Sequence, residues 1–146
     1  MKYYIDTSSL VKIYHREQGT DIILNIYKSQ DEIIISELSK IEFISTIYRK
    51  YREHEIFLDT VHAVIKKFGD DVEHRFELLR FSSPIVDEAQ SLLYCFAEKY
   101  ALKTQDSFQF AFFKSYCEVE TIFVCSDIKL TKLVEREGFK VLSTQT

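Results

Sequence analysis

The chain has 146 residues, a net charge of −4 and a pI near 5.6, and 46% of it is hydrophobic. With only 3 Gly and 1 Pro, this composition predicts a single well-cored domain over 1–146 and excludes a disordered or low-complexity chain. The mild acidity counts against nucleic-acid binding, because phosphate affinity comes mainly from Lys and Arg, unless a local basic patch or bound metal ions reverse the field.

Lys2 to Ile5 is short, aromatic and β-branched and stops at Asp6-Thr7-Ser8-Ser9, which reads as a buried strand running into a helix start. Leu10, Val11 and Tyr14 continue at helical spacing toward Gly19, and Thr20 to Tyr27 repeats the pattern with Ile22, Ile23, Ile26 and Tyr27 on one face. Ile33-Ile34-Ile35 is a second strand, ended by Ser36 as a helix cap. From Ser36 to Tyr51, Leu38, Ile41, Ile44, Tyr48 and Tyr51 form the apolar stripe of a helix. A longer helical stretch runs from about Ile56 to Leu79, breakable at Gly69, with Val61, Val64, Ile65, Phe68, Val72 and Phe76 inward. Pro84 suits the first turn of a helix ending near Tyr100. Thr104 caps the helix that holds Asp106, Phe110 and Phe113. Thr121 to Cys125 is a third strand, Ser126 caps a helix running to Glu137, Gly138 closes it, and Phe139 to Leu142 is a last strand. Strands alternating with helices predict an α/β fold around a parallel sheet, with no repeat and no linker.

That topology gives four acids their meaning, because open parallel sheets bind ligands outside the carboxyl ends of their strands. Asp6 directly follows the first strand, and Asp127 follows the third with one residue between. Asp106 falls in the first turn of its helix, facing the positive end of the helix dipole. Glu42 sits mid-helix beside the apolar stripe, among Ser39, Ser45 and Thr46. Singly, each has an ordinary explanation as a turn, cap or dipole residue. Together they can reach one sheet edge, where crowded carboxylates repel each other unless a cation neutralises them. Hard oxygen donors with no neighbouring Cys or His favour Mg²⁺ or Mn²⁺ over zinc.

The remaining features are plainer. Cys95, Cys117 and Cys125 lie in apolar runs without CxxC spacing, as buried free thiols of a reducing compartment would. His15, His54, His62 and His74 show no zinc-ligand pattern. Arg49, Lys50 and Arg52 are the densest basic cluster and read as a solvated helix end. The run Phe108, Phe110, Phe112, Phe113 reads as core rather than as a base-stacking surface. With no signal peptide or bilayer-length apolar run visible, a cytoplasmic protein is expected.

Four segments carry a resemblance. Tyr4-Ile5-Asp6-Thr7-Ser8-Ser9-Leu10-Val11-Lys12, Ser36-Glu37-Leu38 with Glu42, Leu102-Lys103-Thr104-Gln105-Asp106-Ser107-Phe108-Gln109-Phe110-Ala111, and Phe123-Val124-Cys125-Ser126-Asp127 with Leu130, Gly138 and Val141 resemble the four motif segments of PIN-domain nucleases, specifically VapC-type toxins. The resemblance implies a three-layer α/β/α domain with a central, mostly parallel sheet. It also implies Mg²⁺- or Mn²⁺-dependent endoribonuclease activity on RNA, a homodimer, and inhibition by a VapB-like antitoxin. On the same ground Asp6, Glu42, Asp106 and Asp127 would be the metal-binding catalytic acids, with Ser9 and Ser126 in support. Gln109 stands where many members have His, and Ser126 where many have Thr. The Ile56–Leu79 stretch resembles the family's protruding helical pair, which contacts antitoxin or a second protomer; a core-covering helix is the equal alternative.

Three rivals remain. A non-catalytic PIN-like RNA- or protein-binding module would keep the fold. A phosphoacceptor receiver domain wants paired acids after the first strand, where only Asp6 stands. A dinucleotide-binding domain wants glycines where Asp6-Thr7-Ser8-Ser9 has none.

Overall fold

A computed structural model of the chain describes residues 1–145. Its centre is a five-stranded, wholly parallel sheet in the order β3-β2-β1-β4-β5. The strands are β1 (Lys2–Ile5), β2 (Glu32–Ser36), β3 (Phe76–Leu79), β4 (Ile122–Cys125) and β5 (Val141–Ser143). The helices are α1 (Thr7–Leu10, continued by a 3-10 turn, Val11–Ile13), α2 (Thr20–Lys28), α3 (Glu37–Arg52), α4 (Leu58–His74), α5 (Ser83–Phe96), α6 (Thr104–Tyr116) and α7 (Ile128–Arg136). The chain runs outward from β1 through β2 to β3, then returns to lay β4 and β5 on the other side of β1. The strand order therefore reverses between β1 and β4, which opens a crevice at the carboxyl ends of those two strands.

Alternation along each strand explains the layers. Tyr4, Ile34 and Phe123 point to one face, into a core built with Ile85, Leu92, Phe110, Phe112, Phe113 and Leu133 from α5, α6 and α7. Ile5, Ile33, Ile35 and Val124 point to the other, where they meet Leu10, Ile23, Phe43, Ile47, Val61 and Phe68 from α1 to α4. Both faces are covered, as an all-parallel sheet requires. Phe110, Phe112 and Phe113 are at most 1% exposed, so the aromatic run is core.

Several expectations need correction. The Ile56–Leu79 stretch is not one helix: α4 ends at His74, and Phe76–Leu79 is β3, paired with Ile33–Ser36. Phe68, Val72 and Phe76 recur every four residues and so imitate a continuing helix. Arg75 ends it, its guanidinium donating to the carbonyls of Tyr27, Ser29 and Asp31 at 3.1–3.2 Å. Gly69 breaks nothing. In α3 the buried face is Ser39, Phe43, Ile47 and Lys50, whereas Ile41 and Ile44 are 68% and 41% exposed. The stacking of Phe43 on Phe68, centroids 3.9 Å apart, selects that face over the stripe of larger count. Asp127, not Ser126, caps α7, and Lys103, not Thr104, occupies the cap position of α6. Of the cysteines only Cys125 is buried; Cys95 is exposed and Cys117 half-buried.

Candidate active site

Parallel register brings the ends of β1, β2 and β4 to one edge, with Ile5 opposite Val124 and Tyr4 opposite Ile34. The amide of Asp6 extends that ladder by donating to the Val124 carbonyl at 3.1 Å. Asp6 then caps α1, accepting from the Ser9 amide at 3.2 Å, from the Ser8 hydroxyl at 2.7 and 2.9 Å, and from the Cys125 thiol at 3.2 Å. It is only 6% exposed, and burial pushes its carboxyl up to about 6 against those donors, with Glu42 adding repulsion. Burial and the Asp6 carboxylate likewise drive the Cys125 thiol well above the ordinary range, so it stays protonated and able to donate.

Glu42 approaches from α3, half-buried at the cleft wall. Its Oε1 accepts from the Thr7 hydroxyl and from the Gln109 side-chain amide, both at 2.8 Å. Gln109 is itself held in one orientation, since the Tyr4 hydroxyl (2.5 Å) and the Ser36 hydroxyl (3.2 Å) both donate to its Oε1 and leave its NH₂ aimed at Glu42. Burial raises the Glu42 carboxyl above its usual range, the Thr7 and Gln109 bonds oppose this, and Asp106 adds to it. Asp106, in the first turn of α6, accepts from the Lys103 amide at 3.3 Å; burial and then Asp127 raise it. Asp127 accepts from the Leu130 amide at 2.9 Å.

The structure thus brings Asp6, Glu42, Asp106 and Asp127 to the same edge, in a row where each acid feels the next. None of the four is in a salt bridge among the described residues. Their oxygens are hard donors, with Asp6, Glu42 and Asp106 partly desolvated, Asp127 exposed and Lys103 near Asp106, a donor type that suits a hard divalent cation. Each carboxylate is turned onto its own hydroxyl or amide donor. Among the described residues no three His, Cys, Asp or Glu side chains converge into a group that could hold an ion.

Two openings flank the row. A cleft of about 410 Å³ is lined by Thr7, Ser8, Lys12, Glu42, Arg49 and Lys50, and a depression of about 340 Å³ by Lys103, Asp106, Asp127 and Lys129; Ser126 and Gln145 border both. Ser126 also donates its amide to the Ser8 hydroxyl at 3.2 Å, and Ser9 joins its hydroxyl to that of Thr144 at 2.7 Å. The basic cluster of α3 is not simply a solvated helix end: Lys50 is buried, 3.4 Å from both Glu17 and Glu55. Lys12 is buried too, its ammonium bonded to the carbonyls of Gln18 and Thr144 at 2.6 and 3.0 Å. Sequence reasoning passed over Thr7 and Ser8. Their position directly after Asp6 was the available signal.

The family model described as PIN domain matches residues 3–119. The chain belongs to the PIN domain family. Similar solved structures extend the fold likeness beyond residue 119, over 94–98% of this PIN domain chain. VapBC2 from Rickettsia felis, bound to a DNA fragment from the promoter, is 14% identical with a TM-score of 0.67, covering 98% of each chain. The Mycobacterium tuberculosis toxin VapC20, which cleaves the sarcin-ricin loop, is 13% identical with a TM-score of 0.69, covering 94% of this chain and 96% of that one. FitAcB from Neisseria gonorrhoeae is 11% identical with a TM-score of 0.65, covering 97% of each. At such identities the likeness is one of fold. No curated protein matches the chain significantly. No helix among the described residues of this PIN domain is long and apolar enough to cross a membrane.

Proposed function

We propose that this PIN domain, acting as one unit over 1–146, is a Mg²⁺- or Mn²⁺-dependent endoribonuclease that hydrolyses RNA phosphodiester bonds. The observation that carries the reading is the row of Asp6, Glu42, Asp106 and Asp127 along the edge where the strand order reverses, none of them in a salt bridge among the described residues. These four side chains are the catalytic acids and would hold the cation. When bound, the cation supplies charge neutralisation at the scissile phosphate and acidifies a water. The chain's own residues do the rest. Ser8, the Ser9 amide and the Cys125 thiol orient Asp6. Thr7 and Gln109 orient Glu42, whose carboxyl burial raises above its usual range and so makes a better proton acceptor. Ser126 positions Ser8 through its amide.

Millimolar Mg²⁺ or Mn²⁺ should raise the melting temperature of the wild type and raise that of Asp6→Asn much less. An unmoved wild-type transition removes the reading's main support. Cleavage of RNA by the wild type but not by Asp106→Asn then separates an enzyme from the alternative, a non-catalytic PIN-like RNA- or protein-binding module. The lack of a preformed ion cage among the described residues is the one observation on that module's side.

The biological setting proposed is that of a cytoplasmic, homodimeric toxin of a type II toxin–antitoxin pair, restrained by a VapB-like antitoxin. Support comes from neighbours such as VapBC2, FitAcB and VapC20. Growth arrest on expression, relieved by the product of an adjacent gene, is the test; unimpaired growth with active ribonuclease would refute the toxin role alone.

A further inference from the structure

The PIN domain carries a net charge of −4, so a polyanionic substrate needs a local field that the whole molecule does not provide. The two openings beside the acid row differ in this respect. On the Glu42 side, Lys12 and Lys50 are already spent on carbonyls and on Glu17 and Glu55, which leaves Arg49 alone. On the Asp106–Asp127 side, the depression shares Ala101 and Lys129 with a neighbouring groove of about 730 Å³. That groove runs between the 97–103 loop and α7, lined by Lys99, Tyr100, Ala101, Lys129, Lys132, Glu135 and Arg136. Lys99, Lys129, Lys132 and Arg136 are exposed, and none is in a salt bridge among the described residues. Lys103, equally exposed and unbridged, stands at the junction with the acid row.

We propose that this groove is the track for the single-stranded RNA flanking the scissile phosphate. The inference rests on the ribonuclease reading and says where the substrate lies. Lys129 borders both the groove and the acid depression, so a strand leaving the carboxylates meets it first. Lys99, Lys132 and Arg136 then pair with successive phosphates. Tyr100, braced edge-on by Phe96 and accepting at its hydroxyl from the Arg136 guanidinium, offers the planar surface on which an unstacked base packs. An acidic protein segment would use the cations but neither that ring nor the continuity with the site. A strand with splayed bases uses all three.

The test is binding of a short fluorescein-labelled single-stranded RNA, kept intact by EDTA, followed by anisotropy across a salt series. In Lys129→Glu/Lys132→Glu, affinity should fall at least about tenfold and the salt slope should shrink by about 1.4, two contacts at about 0.7 each. The matched double reversal Lys28→Glu/Lys66→Glu, on exposed lysines remote from the groove, should change neither. All of these side chains are exposed, and equal melting temperatures will show that folding is intact. If the groove variant binds like the control while wild type binds and cleaves RNA, the track is wrong and the ribonuclease reading stands. Wild type that neither binds nor cleaves RNA overturns both. Loss of a protein partner with RNA affinity unchanged would reassign the groove and overturn the proposal.

Discussion

Asp6 bears the heaviest desolvation of the four acids. Its folded value of about 6 lies above the free-residue value of about 3.9, so between those limits the native state holds a proton that the unfolded chain has released. Stability therefore falls as pH rises from about 4 to about 6 and stays lowered above, by at most about 3 kcal/mol. In EDTA, Asp6→Asn, which keeps an acceptor for the Ser9 amide, should be more stable than wild type at pH 7 and lose that advantage near pH 4. Urea denaturation at both pH values checks this, and parallel pH profiles would refute it. At this scale the four acids were legible because each stands beside a strand end, a helix start or a patch of small residues. Gln109 was legible only as a departure from a familiar pattern. Its hold on Glu42 depends on Tyr4 and Ser36, which come from two different strands, and no local pattern encodes such a meeting.

Among the elements, α4 is anchored by a buried polar contact in addition to its apolar face. Asp71, 5% exposed, accepts from the hydroxyls of Tyr14 (2.5 Å) and Tyr27 (2.9 Å) and from Lys67 (3.2 Å), tying α4 to α2 and to the turn after α1. Asp71→Ala leaves two tyrosine hydroxyls without their acceptor and should destabilise the fold by about 2–3 kcal/mol, measured by chemical denaturation. A loss below about 0.5 kcal/mol would show that water replaces the carboxylate freely. Element type was readable wherever period and composition agreed, as in β1, β2, β4 and α6. It failed at β3, because four-residue spacing in Phe68, Val72 and Phe76 runs on across the helix end. The buried face of α3 was misassigned for a related reason. Two apolar stripes compete on that helix, and the partner that decides between them, Phe68, is supplied by α4.

For the whole molecule, alternation of strands and helices was enough to give the parallel sheet, and the short spacing between elements left few other topologies. The strand order was not readable, since it depends on which side of β1 the returning chain lays β4. The same reversal decides that the acid row spans nearly the entire sequence. Asp6 is made well before Asp127, yet the two share the edge, because β4 pairs with β1 only after all the intervening elements have been made. Long-range parallel pairings of this kind form slowly. A growing polypeptide can shape the β1–β3 half while still tethered to the ribosome, but the acid edge stays open until β4 docks. On the proposed activity, the message being translated is thereby spared by its own half-made product.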